Sequence, residues 1–103
     1  HLEVVKHKVG WSCLLVAAQK GYLDVVKHLT GKGGRELLML TADEGTSCLH
    51  CAAEYGHLEV VKHLAEKGGR ELVALLRDDG LSACDMAAEE EHAAVEAFLA
   101  SAG

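Results

Sequence analysis

Between Ser47 and Leu64 the chain alternates apolar and polar residues with a helical period. Leu49, Ala52 and Ala53 share one side of a first segment, and Leu58, Val60, Val61 and Leu64 share one side of a second. Apolar spacings of three and four residues predict amphipathic helices. Ser47 stands where a hydroxyl can accept an orphan amide proton at a helix start. Gly56 separates the two segments, and glycine takes the left-handed conformation at a helix end without a Cβ penalty. The pattern predicts a short helix from Ser47 to Tyr55, a turn at Gly56, and a second helix from His57 to the pair Gly68-Gly69.

The same pattern precedes and follows this stretch. A shift of about 35 residues brings Gly10, Gly45 and Gly80 into register, together with Ala17-Ala18, Ala52-Ala53 and Ala87-Ala88. About 21 of 35 positions agree between the first two copies, so the fold reduces to one repeated unit. A hairpin of two short helices has more apolar face than it can cover itself, and it must stack on a neighbour. The alanine pairs let the first helices approach closely, while Val and Leu of the second helices fill the wider space. The expected fold is all-α, a solenoid of αα-hairpins with short turns or β-hairpin-like tips between units. It is one domain over residues 1–103, with 1–9 a remnant of a preceding unit, 10–44 and 45–79 full units, and 80–103 a C-terminal capping unit.

Three irregularities modify the pattern. Gly33-Gly34-Arg35-Glu36 and Gly68-Gly69-Arg70-Glu71 are each followed by clustered leucines, which predicts an added helical turn with its apolar side under the neighbouring unit and a shortened tip. In the third copy Ala83-Cys84-Asp85 replaces Cys48-Leu49-His50, and Glu91 replaces the interhelical glycine. A left-handed non-glycine residue costs about 1–2 kcal/mol, so a looser turn before His92 is expected. Glu89-Glu90-Glu91 and the small-residue tail Ala100 to Gly103 suit a unit with no neighbour to cover. At the start, His1 to His7 repeats residues 57–63, yet Gly10 follows His7 after three positions where 17 separate His28 from Gly45. So short an interval predicts an absent loop or an artificial junction.

Composition narrows the function. The net charge is −6 and no stripe of Lys or Arg stands apart from acids, which disfavours nucleic acid as a partner. No apolar run reaches the ~20 residues that span a bilayer, so no membrane role is expected. The four cysteines, Cys13, Cys48, Cys51 and Cys84, sit within helical patterns. Free thiols without disulfides, in a reducing cytoplasmic setting, are the simplest account.

Candidate chemistry is sparse. Cys48-Leu49-His50-Cys51 has the residue types of a zinc site, but structural zinc wants four converging ligands. The position of Cys51 is Val16 in the first copy and Met86 in the third, which marks it as a core position. His7, His28 and His63 each follow Val-Val-Lys and predict a row of Lys and His on the second-helix surface, read as a solvated outer face. The paired glycines lack the Lys-Ser/Thr of a phosphate loop. Neither a catalytic constellation nor a cofactor or metal site is expected.

Gly45, Ser47, Leu49, His50, Ala52, Ala53, Gly56, His57, Leu58, Val60, Val61 and Leu64, with the matching Gly10, Ser12, Leu14, Ala17, Ala18 and Gly21 of the first copy, form a pattern that resembles the ankyrin-repeat family. Ser47 stands for the family's Thr and Cys48 for its Pro, and the unit is about two residues longer than usual. The resemblance implies that His50 is a structural hydrogen-bonding residue. It also implies a non-enzymatic scaffold that binds another protein on its concave side, through the tips and the ends of the first helices. Carried over by position, those residues are Lys8, Val9, Trp11, Gln19 and Lys20, then Asp43, Glu44, Thr46, Glu54 and Tyr55, then Asp78, Asp79, Leu81, Glu89 and Glu90. Trp11, Tyr55 and Leu81 are the expected anchors, and the acids would steer a basic or amphipathic segment. The alternatives are a spacer within a longer array and a designed scaffold, with no ligand of its own. A monomer or part of a longer array is expected.

Overall fold

The alternation of short and long apolar segments becomes three helical hairpins stacked side by side. The structure is a computed structural model that describes residues 13–41 and 45–102. Helix α1 covers residues 13–20 and pairs with α2, Leu23–Met39. Helix α3, Cys48–Glu54, pairs with α4, Leu58–Val73, and α5, Ala83–Glu89, pairs with α6, Ala93–Ala102. First helices pack on first helices, α3 on α5, and second helices on second helices, α2 on α4 and α4 on α6. The remnant at 1–9 and the junction before Gly10 lie outside the described residues.

The core lies between these layers. Ala17, Ala18, Ala52, Ala53 and Ala87 are all buried, and their small side chains allow the first-helix layer to close. Val26, Val60, Val61, Leu64, Val95 and Leu99 fill the second-helix layer. Ser47 caps α3 by accepting from the His50 amide at 3.3 Å, and Ser82 caps α5 by accepting from the Asp85 amide at 3.2 Å. In both caps the third residue reaches back to the serine N–H, so two orphan amides are satisfied at each start.

Gly21 and Gly56 carry φ of 77° and 73° between paired helices, and Glu91 takes φ of 60° at the same place. The turn before His92 is therefore not looser than the others. The His92 N–H donates to the Ala87 carbonyl at 2.9 Å, against 3.0 Å from His57 to Ala52 and 2.9 Å from Tyr22 to Ala17. The backbone bonds hold the turn, and Glu91 bears the strain. Glu91→Gly is expected to raise stability by about 0.5–1 kcal/mol, the strain relieved less the greater freedom of glycine in the unfolded chain. A denaturation midpoint that stays put or falls would show that Glu91 is unstrained.

The second helix of the middle hairpin does not end at Gly68-Gly69. It bends there, Gly69 adopting φ 64° and ψ −161°, and resumes as a further turn to Val73. The added turn does bury its apolar side: Leu72 is fully buried, and Leu38 of α2 is 1% exposed. Among the described residues, Thr41 and Ser47 form an antiparallel bridge at the tip between α2 and α3. The next tip closes through Arg77 N–H to Leu81 O at 2.9 Å and Gly80 N–H to Arg77 O at 2.9 Å.

Candidate functional site

The ends of the first helices form one row because each hairpin repeats the geometry of the last. Gln19 and Lys20 close α1, Glu54 and Tyr55 close α3, and Glu89 and Glu90 close α5. The Gln19 side-chain amide donates to the Tyr55 hydroxyl at 3.0 Å, joining the first two members of the row. Tyr55 remains 46% exposed, an aromatic face held in place at one edge. Lys20, Glu89 and Glu90 are exposed and Glu54 is half-buried, so the row passes from a cation to acids along the stack.

Stacking fixes the backbone of this row. The His57 ring donates from Nε2 to the Gln19 carbonyl at 2.8 Å, and the His92 ring does the same to the Glu54 carbonyl at 3.0 Å. Each ring lies against the glycine of the preceding turn: a Cβ at Gly21 would meet His57 Nδ1 at 2.5 Å, and one at Gly56 would meet His92 Nδ1 at 2.6 Å. The sequence pattern puts His57 at a helix start and His92 after a turn, without showing what either ring touches. The recurring Gly-His pair was the available signal.

The tips are less free than the row. Asp79 accepts from the Leu81 amide at 3.2 Å and pairs with Arg77 at 3.4 Å, so it shapes its own tip. Asp78 is exposed, but it sits against Gly45, where an added Cβ would meet its Oδ1 at 2.9 Å. Leu81 is half-buried and its carbonyl accepts from His50, leaving a smaller apolar surface than an anchor would offer. Thr46 is half-buried. Trp11, Lys8, Val9, Asp43 and Glu44 lie outside the described residues.

His50 is structural. Buried completely, it accepts at Nδ1 from the Ser47 amide at 3.2 Å and from the Ser47 hydroxyl at 2.7 Å. Because Nδ1 accepts, Nε2 carries the proton and donates to Leu81 O at 3.1 Å. Burial is the main influence holding its pKa below the ordinary 6.5, and the positive Arg77 adds to it. His63 departs from the solvated row expected for the second helices. Half-buried, its Nε2 bonds Thr30 Oγ1 at 2.9 Å, while the Thr30 hydroxyl donates to the Lys27 carbonyl at 3.2 Å. Burial first, then Lys67 and Lys27, lowers the His63 pKa. His28 is exposed, and His7 lies outside the described residues.

The cysteines are free thiols. Cys48 is buried and its pKa rises to about 12, mainly through burial; that of Cys51 rises to about 11 for the same reason. Both thiols stay protonated at neutral pH, which opposes the thiolate form that attacks electrophiles or ligates metals. Among the described residues no three His, Cys, Asp or Glu side chains gather to hold a metal. The position shared by Val16, Cys51 and Met86 is not uniformly core: Val16 is 50% exposed, Cys51 half-buried and Met86 buried. Among the described residues no helix is long and apolar enough to cross a membrane.

A family model described as ankyrin repeats (3 copies) matches residues 14–103, which takes in α2 to α6 and all of α1 but its first described residue. No curated protein matches the chain.

Proposed function

This chain belongs to the ankyrin-repeat family, and on that premise we propose that it is a protein-binding module that recognises a basic or amphipathic segment along the row of first-helix ends. Ankyrin repeats are generally protein–protein interaction modules and are typically non-enzymatic. The observation that carries the reading is the half-exposed Tyr55, fixed by Gln19 and flanked by Glu54, with Glu89 and Glu90 at the next position of the row. A tyrosine held by a hydrogen bond offers a large contact area with little rotamer entropy left to lose. Acids beside it favour association with a cationic segment and disfavour an anionic one.

On this reading the partner lies on the concave side of the stack, with Tyr55 as the central anchor and Lys20 marking the end away from the acids. The free thiols suit a reducing, intracellular setting. The test is a displayed library of basic amphipathic peptides, with the selected peptides measured against Tyr55→Ala and against Glu89→Gln with Glu90→Gln. Loss of Tyr55 should weaken binding about tenfold or more, the range of an anchor residue. Removing the two acids should mainly slow association and flatten its salt dependence. Selected peptides that bind all variants alike would overturn the proposal and favour a spacer without a ligand of its own.

A further inference from the structure

Positions 19 and 55 meet across the first seam, and the same register gives Glu54 and Glu90 for the second. Two uncharged polar side chains therefore come together where the next unit has two acids. Gln19 Nε2 donates to Tyr55 Oη at 3.0 Å, so the phenol oxygen is the acceptor in this bond. Among the described residues, the Tyr55 O–H and the Gln19 Oε1 have no other partner. One hydrogen bond thus leaves a donor and an acceptor side by side at the surface, on the exposed Tyr55 and the half-buried Gln19.

Both ends of the pair are anchored. The Gln19 carbonyl accepts from His57 Nε2 at 2.8 Å, and the Tyr55 N–H donates to the Cys51 carbonyl at 3.2 Å at the end of α3. Between these fixed backbones the Gln19–Tyr55 bond restrains the two side chains, so the donor and the acceptor keep their spacing. A ligand that meets a preformed pair loses little free energy to ordering it.

The group that completes the pair must accept from the phenol O–H and donate to the Gln19 oxygen at once. A carboxylate only accepts, and ammonium and guanidinium groups only donate. A trans peptide unit has both functions but points its N–H and C=O in opposite directions. A primary amide has its C=O and one N–H on the same side. It closes a ring of three hydrogen bonds: Gln19 to Tyr55, Tyr55 to the amide oxygen, and the amide N–H back to Gln19. Within such a ring each bond polarises the next. Turning the Gln19 amide over exchanges donor and acceptor on both residues, and the complement is still a primary amide. We infer that Gln19 and Tyr55 form a subsite for an asparagine or glutamine side chain of the partner segment, an inference that rests on the binding row proposed above.

The peptides selected against the row supply the test. They should be enriched in Asn or Gln, and replacing that residue by Leu, by the matching acid or by Ser should weaken binding about tenfold, the worth of two ordinary hydrogen bonds. Tyr55→Phe keeps the ring and Gln19→Met keeps the length, and both should retain the helical circular dichroism. Each should bind the amide peptide and its Leu form alike. Peptides that need Tyr55, by Tyr55→Ala, but show no preference for an amide overturn the subsite and leave the row standing. A preference that persists in Tyr55→Phe and Gln19→Met places the amide elsewhere, which overturns the subsite as well. Equal affinity for the Ser form assigns the pair to a hydroxyl and overturns the amide. Peptides indifferent to Tyr55→Ala overturn the row and the subsite together.

Discussion

Replacing Gly56 with alanine is expected to lower the unfolding free energy by about 2–4 kcal/mol, more than the φ of the residue alone would cost. Two effects add. A left-handed alanine costs about 1–2 kcal/mol wherever it stands. The second effect belongs to the seam: the new Cβ would lie 2.6 Å from Nδ1 and 2.7 Å from Cε1 of His92, closer than packed atoms allow. The His92 ring cannot withdraw freely, because its Nε2 donates to the Glu54 carbonyl at 3.0 Å. Gly80→Ala isolates the first effect, since Gly80 has φ of 88° but no atom within 4 Å of the added Cβ. Chemical denaturation of Gly56→Ala, Gly80→Ala and Gly56→Ala with His92→Ala checks the argument. The third protein should recover the clash component, leaving only strain and the lost His92 contacts. Equal costs for Gly56→Ala and Gly80→Ala would mean that the histidine stitch does not hold the seam closed. Against a total stability of about 5–15 kcal/mol for an ordinary domain, the larger cost is enough to unfold a marginal one.

His50→Leu is the second large effect, a loss of about 2–4 kcal/mol with little change in apolar volume. Leucine occupies the equivalent place in the first copy, as Leu15. At position 50 it would leave the buried Ser47 amide without the Nδ1 acceptor and remove the donor to Leu81 O. A leucine there that costs less than 1 kcal/mol would show that those polar groups find other partners.

The same residue sets a pH dependence. Its folded pKa lies below 6.5, so the folded chain binds fewer protons at this site than the unfolded chain does. His63 shifts in the same direction. Their contribution is therefore fully present above about pH 6.5 and is lost as the pH falls through the folded values. Protonation at Nδ1 removes an acceptor from the Ser47 amide and hydroxyl, which gives the loss a structural cause. The denaturation midpoint should be flat from pH 8 to about 6.5 and decline below it, with a shallower decline in His50→Leu. A midpoint unchanged down to pH 5 would contradict this assignment.

Much of the fold was legible because it is local. Apolar spacing, the serine caps and Gly56 specify each hairpin from residues close to one another in sequence, and the 35-residue register requires the hairpins to stack. The added turn at Arg70 to Val73 was visible in its clustered leucines. The row of Gln19, Lys20, Glu54, Tyr55, Glu89 and Glu90 follows from the same register. What the register could not show was how atoms meet across a seam. Gln19 lies 38 residues from His57, and Thr30 lies 33 from His63. Sequence spacing says that these residues face neighbouring units, but only the stacked backbones decide which carbonyl or hydroxyl each ring reaches. The same holds for Asp79, whose exposed acid is used by its own tip, and for Glu91, whose backbone bonds impose a left-handed turn on a residue that resists it. Neighbouring residues set the shape of one unit, because helix periods and glycine turns are local. The tertiary structure alone decided which polar groups remain free at the surface, because hydrogen bonding depends on angstrom distances between units far apart in the chain.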